Sequence, residues 1–407
     1  MRSLAIAIGI LASVSVHAKP TAGFRGDGSG LYPNSRPPAE WGEKKNVKWR
    51  ATVGKGYSSP VLAHGALYVT SDPPELTCLD AATGAVRWKL SFTSADLPAD
   101  FQAKAKANEK ASTSCGYAAP TPVADESRVF VLFGSGLVAC VSPDGKRQWL
   151  RQLDPARRNY GHSSSPLLVA GRLLVNVHQL TALDPETGAT VWQCPEAAET
   201  YGTAVPMTLG DTPIVVTPLG VVVRVRDGAL LGKEIAEDVG GGDEYGISPV
   251  ASGDVVYLGD RNTSAVRLDL RDDKLVTKKL WSVEMPNAAY ASPVVWSGLF
   301  YYAGKLAEYS VLDAATGKPV LEQLLKLAPA GGEDKDHGNA NVYPSLTVAD
   351  GKVFISNDVG QTFVLEAGRE YRELARNQLP QGSGATPAFG KTSMFIRSGD
   401  SVYCIEK

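Results

Sequence analysis

A proline recurs once per repeat along almost the whole chain, after a small or polar residue and before an apolar run: Pro60, Pro120, Pro166, Pro206, Pro249, Pro293, Pro344 and Pro387. Each is followed by a turn and then by a β-branched and aromatic segment, such as Leu67-Tyr68-Val69, Val129-Phe130-Val131, Phe300-Tyr301-Tyr302 or Val353-Phe354-Ile355. Segments of that composition read as buried strands. A third strand comes next, best marked by Leu79-Asp80, Leu183-Asp184, Leu268-Asp269 and Leu312-Asp313, and a Thr-Gly turn (Thr83-Gly84, Thr187-Gly188, Thr316-Gly317) leads into a fourth. One repeat is a four-stranded meander of about 40 to 45 residues, the length of a propeller blade.

Proline lacks the donor a ladder needs and is confined to edges. The innermost strand of a blade is such an edge, so the prolines place the first strand of each repeat at the axis. Small residues before most of them (Ser59, Ala119, Ser165, Ser248, Ser292, Thr386) suit a crowded centre. Trp88, Trp149, Trp192 and Trp281 fall on fourth strands, where a large ring fills the wedge between blades. The last repeat, from Gly384 to Lys407, has only three strands, and Val47 to Val53 carries Trp49 at the place its missing fourth strand requires. The expected fold is all-β: an eight-bladed β-propeller of four-stranded antiparallel blades, the last closed by the N-terminal strand. Such closure removes free sheet edges.

Composition narrows the function classes. Lys and Arg total 41 against 43 Asp and Glu, with no long basic run, which argues against a nucleic-acid partner or an anionic membrane surface. Arg2, the apolar stretch Leu4 to Val16 and Val16-His17-Ala18 read as an export signal over residues 1–18. An N-terminal extended segment is expected over 19–45 and the propeller over 46–407. No later segment approaches the roughly 20 apolar residues of a membrane span. The expected location is the periplasm or the exterior, and the expected state a monomer. Cys78, Cys140 and Cys404 hold the same place in three repeats, beyond the roughly 7 Å a disulfide allows, and read as small buried hydrophobes. The pairing of Cys115 and Cys194 stays open.

Two insertions interrupt the rhythm. Thr93 to Thr113 contains a helix-forming run from Asp100 to Ala107, and Leu327 to Asn341 is a polar, glycine-rich loop. Both join a fourth strand to the next first strand and so belong to one face, the mouth of the central channel. Loops grafted on one face are where repeat proteins place binding.

The stretch Ala182-Leu183-Asp184-Pro185-Glu186-Thr187-Gly188-Ala189-Thr190-Val191-Trp192 matches an Ala-x-Asp-x-x-x-Gly-x-x-x-Trp docking motif, and Cys78 to Trp88 matches all but its first position. On these residues the mature chain resembles the PQQ-like β-propeller repeat proteins, which include quinoprotein dehydrogenases and non-catalytic scaffolds such as the outer-membrane assembly lipoprotein. The dehydrogenase resemblance implies a quinone over a tryptophan floor, a calcium ion held by acidic and amide side chains, often a vicinal disulfide, and a catalytic aspartate. This chain has no Cys-Cys pair, and five of its seven tryptophans are assigned to docking. No cofactor is expected, with PQQ and calcium as the alternative. The lipidated cysteine of the assembly lipoprotein is also missing.

Tyrosines stand before the proline in seven repeats: Tyr57, Tyr117, Tyr160, Tyr201, Tyr245, Tyr290 and Tyr343. They form either an aromatic collar or inter-blade packing, and only Tyr57, Tyr117 and Tyr290 share an offset of three. Turns and connections on the same face bring charge, including His162, Arg261, Lys305, Asp358 and Arg397, as binding groups or as solvated loop residues. The candidate ligand-binding residues are therefore Tyr57, Tyr117, His162, Arg261, Tyr290, Lys305, Asp358 and Arg397, with no catalytic or metal-binding assignment. No nucleophile elbow, phosphate loop or zinc spacing occurs. The function read from the sequence is an exported binding scaffold for a protein, peptide or glycan; the alternative is a PQQ-dependent dehydrogenase of sugars or alcohols.

Overall fold

Strands covered on both faces by neighbouring blades must be apolar throughout, whereas a strand on the outer rim can alternate. The first blade shows both patterns. Its four strands are β3 (Val61–Ala63), β4 (Ala66–Ser71), β5 (Glu75–Asp80) and β6 (Val86–Ser91), preceded in the chain by β1 (Leu31–Tyr32) and β2 (Val47–Thr52). All six residues of β4 are buried, while β6 is largely exposed. The computed structural model describes residues 21–108, 116–154, 161–236, 246–327 and 340–407. The expected export signal, Cys115, Tyr160, Tyr245 and the middle of the second insertion lie outside the described residues.

Eight sheets form an eight-bladed all-β propeller, seven from consecutive strands. The eighth joins β2 antiparallel to Ser401–Ile405, with Trp49 opposite Cys404 and Thr52 opposite Ser401. The seventh gains a fifth strand, because β1 pairs parallel to its inner strand Thr347–Ala349. In the first insertion α1 (Ala99–Asn108) lies on the second blade, with the Arg151 guanidinium 5.2 Å from the Phe101 ring centre.

The docking motif has a physical reading at each position. Asp80 Oδ1 accepts from the Ala82 and Thr83 amides and the Thr83 hydroxyl, fixing the turn between third and fourth strands. The Arg87 hydrogen bond, with those from Thr83, lowers the Asp80 carboxyl to about 2. The following glycine takes a positive φ and lies under the tryptophan of the preceding blade. A Cβ at Gly84, Gly145, Gly188, Gly228 or Gly317 would fall 2.6 to 2.8 Å from Trp49, Trp88, Trp149, Trp192 or Trp281 respectively. Each indole then donates to a carbonyl of the next blade: Trp49 to Ala81, Trp88 to Pro143, Trp149 to Pro185, Trp192 to Val225 and Trp281 to Ala314, at 2.9 to 3.2 Å. Cys78, Cys140 and Cys404 sit opposite Trp88, Trp149 and Trp49 as free, buried thiols, and Cys194 is free and buried too. Burial raises the Cys78 thiol to about 11 and those of Cys140 and Cys404 to about 12.

The segment before β2 does more than lead into it. Ala22 and Ala124 exchange both backbone hydrogen bonds at the far end of the second blade's inner strand. Arg25 is buried on the axis, its guanidinium donating to the carbonyls of Pro293 and Leu346, and burial lowers its pKa to about 10. After β1 the chain leaves between blades seven and eight, where Tyr32 meets Phe389 at 4.5 Å and the buried Trp41 packs on Phe354. Residues 21–32 thus occupy the channel from the face opposite the mouth.

Candidate ligand-binding site at the channel mouth

A blade's inner strand has one free edge, and each amide on that edge needs a partner. At the start of all eight inner strands the partner is a hydroxyl of the next blade. Ser59 N donates to Thr121 Oγ1, Thr121 N to Ser165 Oγ, Ser165 N to Thr203 Oγ1 and Thr203 N to Ser248 Oγ, all at 2.9 or 3.0 Å. Ser248 N donates to Ser292 Oγ, Ser292 N to Ser345 Oγ, Ser345 N to Thr386 Oγ1 and Thr386 N back to Ser59 Oγ, at 2.9 to 3.2 Å. The circle is closed, and it ties neighbouring blades at the axis as the indoles tie them at the rim.

Two residues upstream of each ring hydroxyl the chain emerges at the mouth. That position carries Tyr57, Ala119, Ser163, Tyr201, Gly246, Tyr290, Tyr343 and Gly384, and all eight line one cavity with the eight ring residues. The cavity holds about 600 Å³, within the range of about 300 to 1,000 Å³ of small-molecule sites. Phe24, from the segment on the axis, closes its inner end. Tyr290 and Tyr343 stack at 4.7 Å and 10°, and each keeps 42% of its surface exposed. Tyr57 continues the arc, since a Cβ at Gly384 would lie 3.2 Å from its ring and 3.9 Å from Tyr343. The facing side is built on Ala119, Ser163, Tyr201 and Gly246, so Tyr201 is its one large side chain.

The eight candidates separate by place. Tyr57, Tyr290 and Asp358 line the cavity, and Asp358 is the one charged residue among its described lining. Asp358 Oδ1 also accepts the Asn341 amide at 2.8 Å. Tyr117 lies outside, packed against the core between the first two blades, with its amide on Asp72 Oδ1. His162 is buried rather than open at the axis: Nδ1 meets Glu199 Oε1 at 2.5 Å and Nε2 meets the Asp154 carbonyl at 2.9 Å. Arg261 is exposed on the rim beside Glu284, and the Lys305 backbone bridges Ala288 and Val342. Arg397, expected on a mouth turn, is 2% exposed and donates to the carbonyls of Gly54, Ser58 and Thr70 and to the Ser58 hydroxyl. Burial lowers its pKa to about 10.

The lining does not fit the quinone that the dehydrogenase resemblance implies. A tricarboxylate quinone and its calcium ion call for cationic partners, a tryptophan face and a group of oxygen ligands. Among the described lining residues there is no lysine, arginine or tryptophan, and only one carboxylate. Among the described residues no group of three His, Cys, Asp or Glu is placed to hold a metal ion.

Fold and blade-docking motif together define a PQQ-like propeller. The family model described as outer membrane protein assembly factor BamB matches residues 40–276 and 179–407. The chain belongs to that family. No curated protein matches it in sequence. BamB from Moraxella catarrhalis is similar in structure, with 12% identity and a TM-score of 0.56 over 88% of this chain and 98% of that one. A europium-containing methanol dehydrogenase is similar at 14% identity and a TM-score of 0.63, over 89% and 87% of the two chains. The computationally designed protein Ika8 is similar at 10% identity and a TM-score of 0.59, over 88% and 99%. At such identities the structural likeness establishes the fold.

Proposed function

We propose that this chain is an exported, non-catalytic binding propeller that takes a protein, peptide or glycan in the mouth cavity. The observation that carries this reading is the cavity's construction: a tyrosine arc over a wall of hydroxyls, stopped at its inner end by Phe24, with no cation and a single carboxylate among the described lining. Binding sites combine apolar faces with a few fixed polar groups, whereas acid–base or nucleophilic chemistry needs paired titratable groups within reach of one another. Membership of the outer membrane protein assembly factor family supports a protein partner and a place in the cell envelope. Among the described residues no helix is long and apolar enough to cross a membrane.

The test is to probe immobilised peptides and oligosaccharides with the mature chain and with a Tyr290→Ala/Tyr343→Ala variant. The expected result is a set of ligands retained by the first and lost by the second, both proteins melting alike. Ligands held equally by both proteins would move the site away from the mouth.

A further inference from the structure

We infer that the mouth cavity recognises the end of an uncharged oligosaccharide, a ring-shaped ligand rich in hydroxyls. This rests on the reading of the mouth as the binding site and assigns that site a ligand chemistry.

The wall sets the polarity. A hydroxyl has one donor and two lone pairs, and each ring hydroxyl spends one lone pair on its neighbour's amide. Each keeps its O–H and a further lone pair, so the wall offers donors and acceptors side by side at every blade. A sugar hydroxyl, itself both donor and acceptor, meets such a surface in either sense. A carboxylate or phosphate would find no cation among the described lining, and a cationic group would find only Asp358.

The rim sets the shape. Tyr290 and Tyr343 are stacked on each other yet remain two-fifths exposed, and Tyr57 extends the same arc across Gly384. Flat apolar faces with polar tips suit the C–H face of a pyranose. Opposite the arc, Ala119, Ser163 and Gly246 carry small side chains on either side of Tyr201, so a ring can stand against the stacked tyrosines with its hydroxyl edge toward the wall and Tyr201 across from it.

The same ring of bonds argues against an extended peptide as the occupant. A peptide strand docks by pairing with free backbone groups on a sheet edge. At this level of all eight inner strands the amide is already taken by the neighbouring hydroxyl. On the seventh blade the edge is also covered by β1.

The test is calorimetric titration of the full mature chain with cellotetraose, maltotetraose and chitotetraose, with tetragalacturonate as the anionic counterpart and an uncharged Pro- and Tyr-rich hexapeptide as the peptide probe. The expected result is binding of at least one neutral tetrasaccharide, weakened about tenfold in Tyr343→Ala and in Tyr290→Ala. Ser163→Trp, which crowds the cavity beside Tyr201, abolishes it, and tetragalacturonate binds more weakly. All three variants keep the parent's thermal transition. Binding of the hexapeptide alone, lost in Tyr343→Ala, overturns the sugar assignment while the mouth reading survives. A tetrasaccharide bound equally by parent and tyrosine variants overturns both. Failure of every neutral tetrasaccharide overturns the sugar assignment.

Discussion

Replacing Gly84 by alanine places a methyl group under the tryptophan that closes the ring, and Gly171 supplies a matched control. Both glycines have φ +73°, so alanine at either carries the same left-handed backbone penalty of about 1 to 2 kcal/mol. At Gly171 nothing lies within 4 Å of the new Cβ, and the penalty stops there. At Gly84 the Cβ falls 2.6 Å from two atoms of the Trp49 ring. Ordinary carbon contacts lie near 3.5 to 4.0 Å, so the indole must retreat by about 1 Å. That motion disturbs its hydrogen bond to the Ala81 carbonyl and its packing on Phe395. Overpacking of this kind costs about 1 to 3 kcal/mol and a weakened hydrogen bond about 1 more. Gly84→Ala is therefore expected to cost about 2 to 4 kcal/mol beyond Gly171→Ala, read as a lower urea midpoint at unchanged slope. In a Trp49→Ala background the obstacle is gone, and the two alanines should cost the same. Equal midpoints for Gly84→Ala and Gly171→Ala with Trp49 present would refute the docking argument.

Three further outcomes follow from the same geometry. Arg397→Met takes the guanidinium donors from the Gly54 and Ser58 carbonyls, while the Thr70 carbonyl keeps the Ser58 hydroxyl, and should cost about 2 kcal/mol or more in urea unfolding; a cost below about 1 would show these bonds to be idle. Asp80 has a folded-state pKa of about 2 against an ordinary 3.8, so its contribution is complete above 3.8 and is lost as pH falls through 2. Asp80→Asn should lower the melting temperature at neutral pH and flatten its fall between pH 4 and 2, and an unchanged acid limb would contradict the capping role. Incubation with PQQ and calcium should give no quinone-dependent dye reduction with alcohols or aldoses; turnover abolished by omitting the quinone would overturn the non-catalytic reading.

Blade number and closure were legible because they rest on features that cannot drift: the buried strands, the Asp-to-Gly-to-Trp spacing, and an N-terminal strand with its tryptophan in register. The mouth was only partly legible, because proline is a loose marker of register. It needs only an edge that asks for no donor, a condition met at several neighbouring positions. Pro60, Pro166, Pro249, Pro293 and Pro387 directly follow a ring hydroxyl, whereas Pro120 and Pro344 precede one and Pro206 stands three after Thr203. The hydroxyl must reach one particular amide of the next blade and cannot slide. Counted from the prolines the tyrosines fall unevenly; counted from the hydroxyls, Tyr57, Tyr201, Tyr290 and Tyr343 share an offset of two, and Tyr117 does not. Arg397 and His162 read as mouth residues because sequence position does not say which way a side chain points; Arg397 belongs to the strand Met394–Ser398 and its side chain is buried. The path of residues 21–32 left no signal, since a single pass along a channel has no periodicity.

The mouth is a cup rather than a passage only if the N-terminal segment stops the channel. Ala22 and Ala124 form a hydrogen-bonded antiparallel pair, whose Cα atoms lie about 5.5 Å apart, inside the range a disulfide spans. Purified Ala22→Cys/Ala124→Cys protein, oxidised and mapped by mass spectrometry of its peptides, should join these two positions nearly quantitatively, with the parent's melting temperature kept or raised. Two free thiols at those positions in folded protein would mean that the segment lies elsewhere and the channel is open.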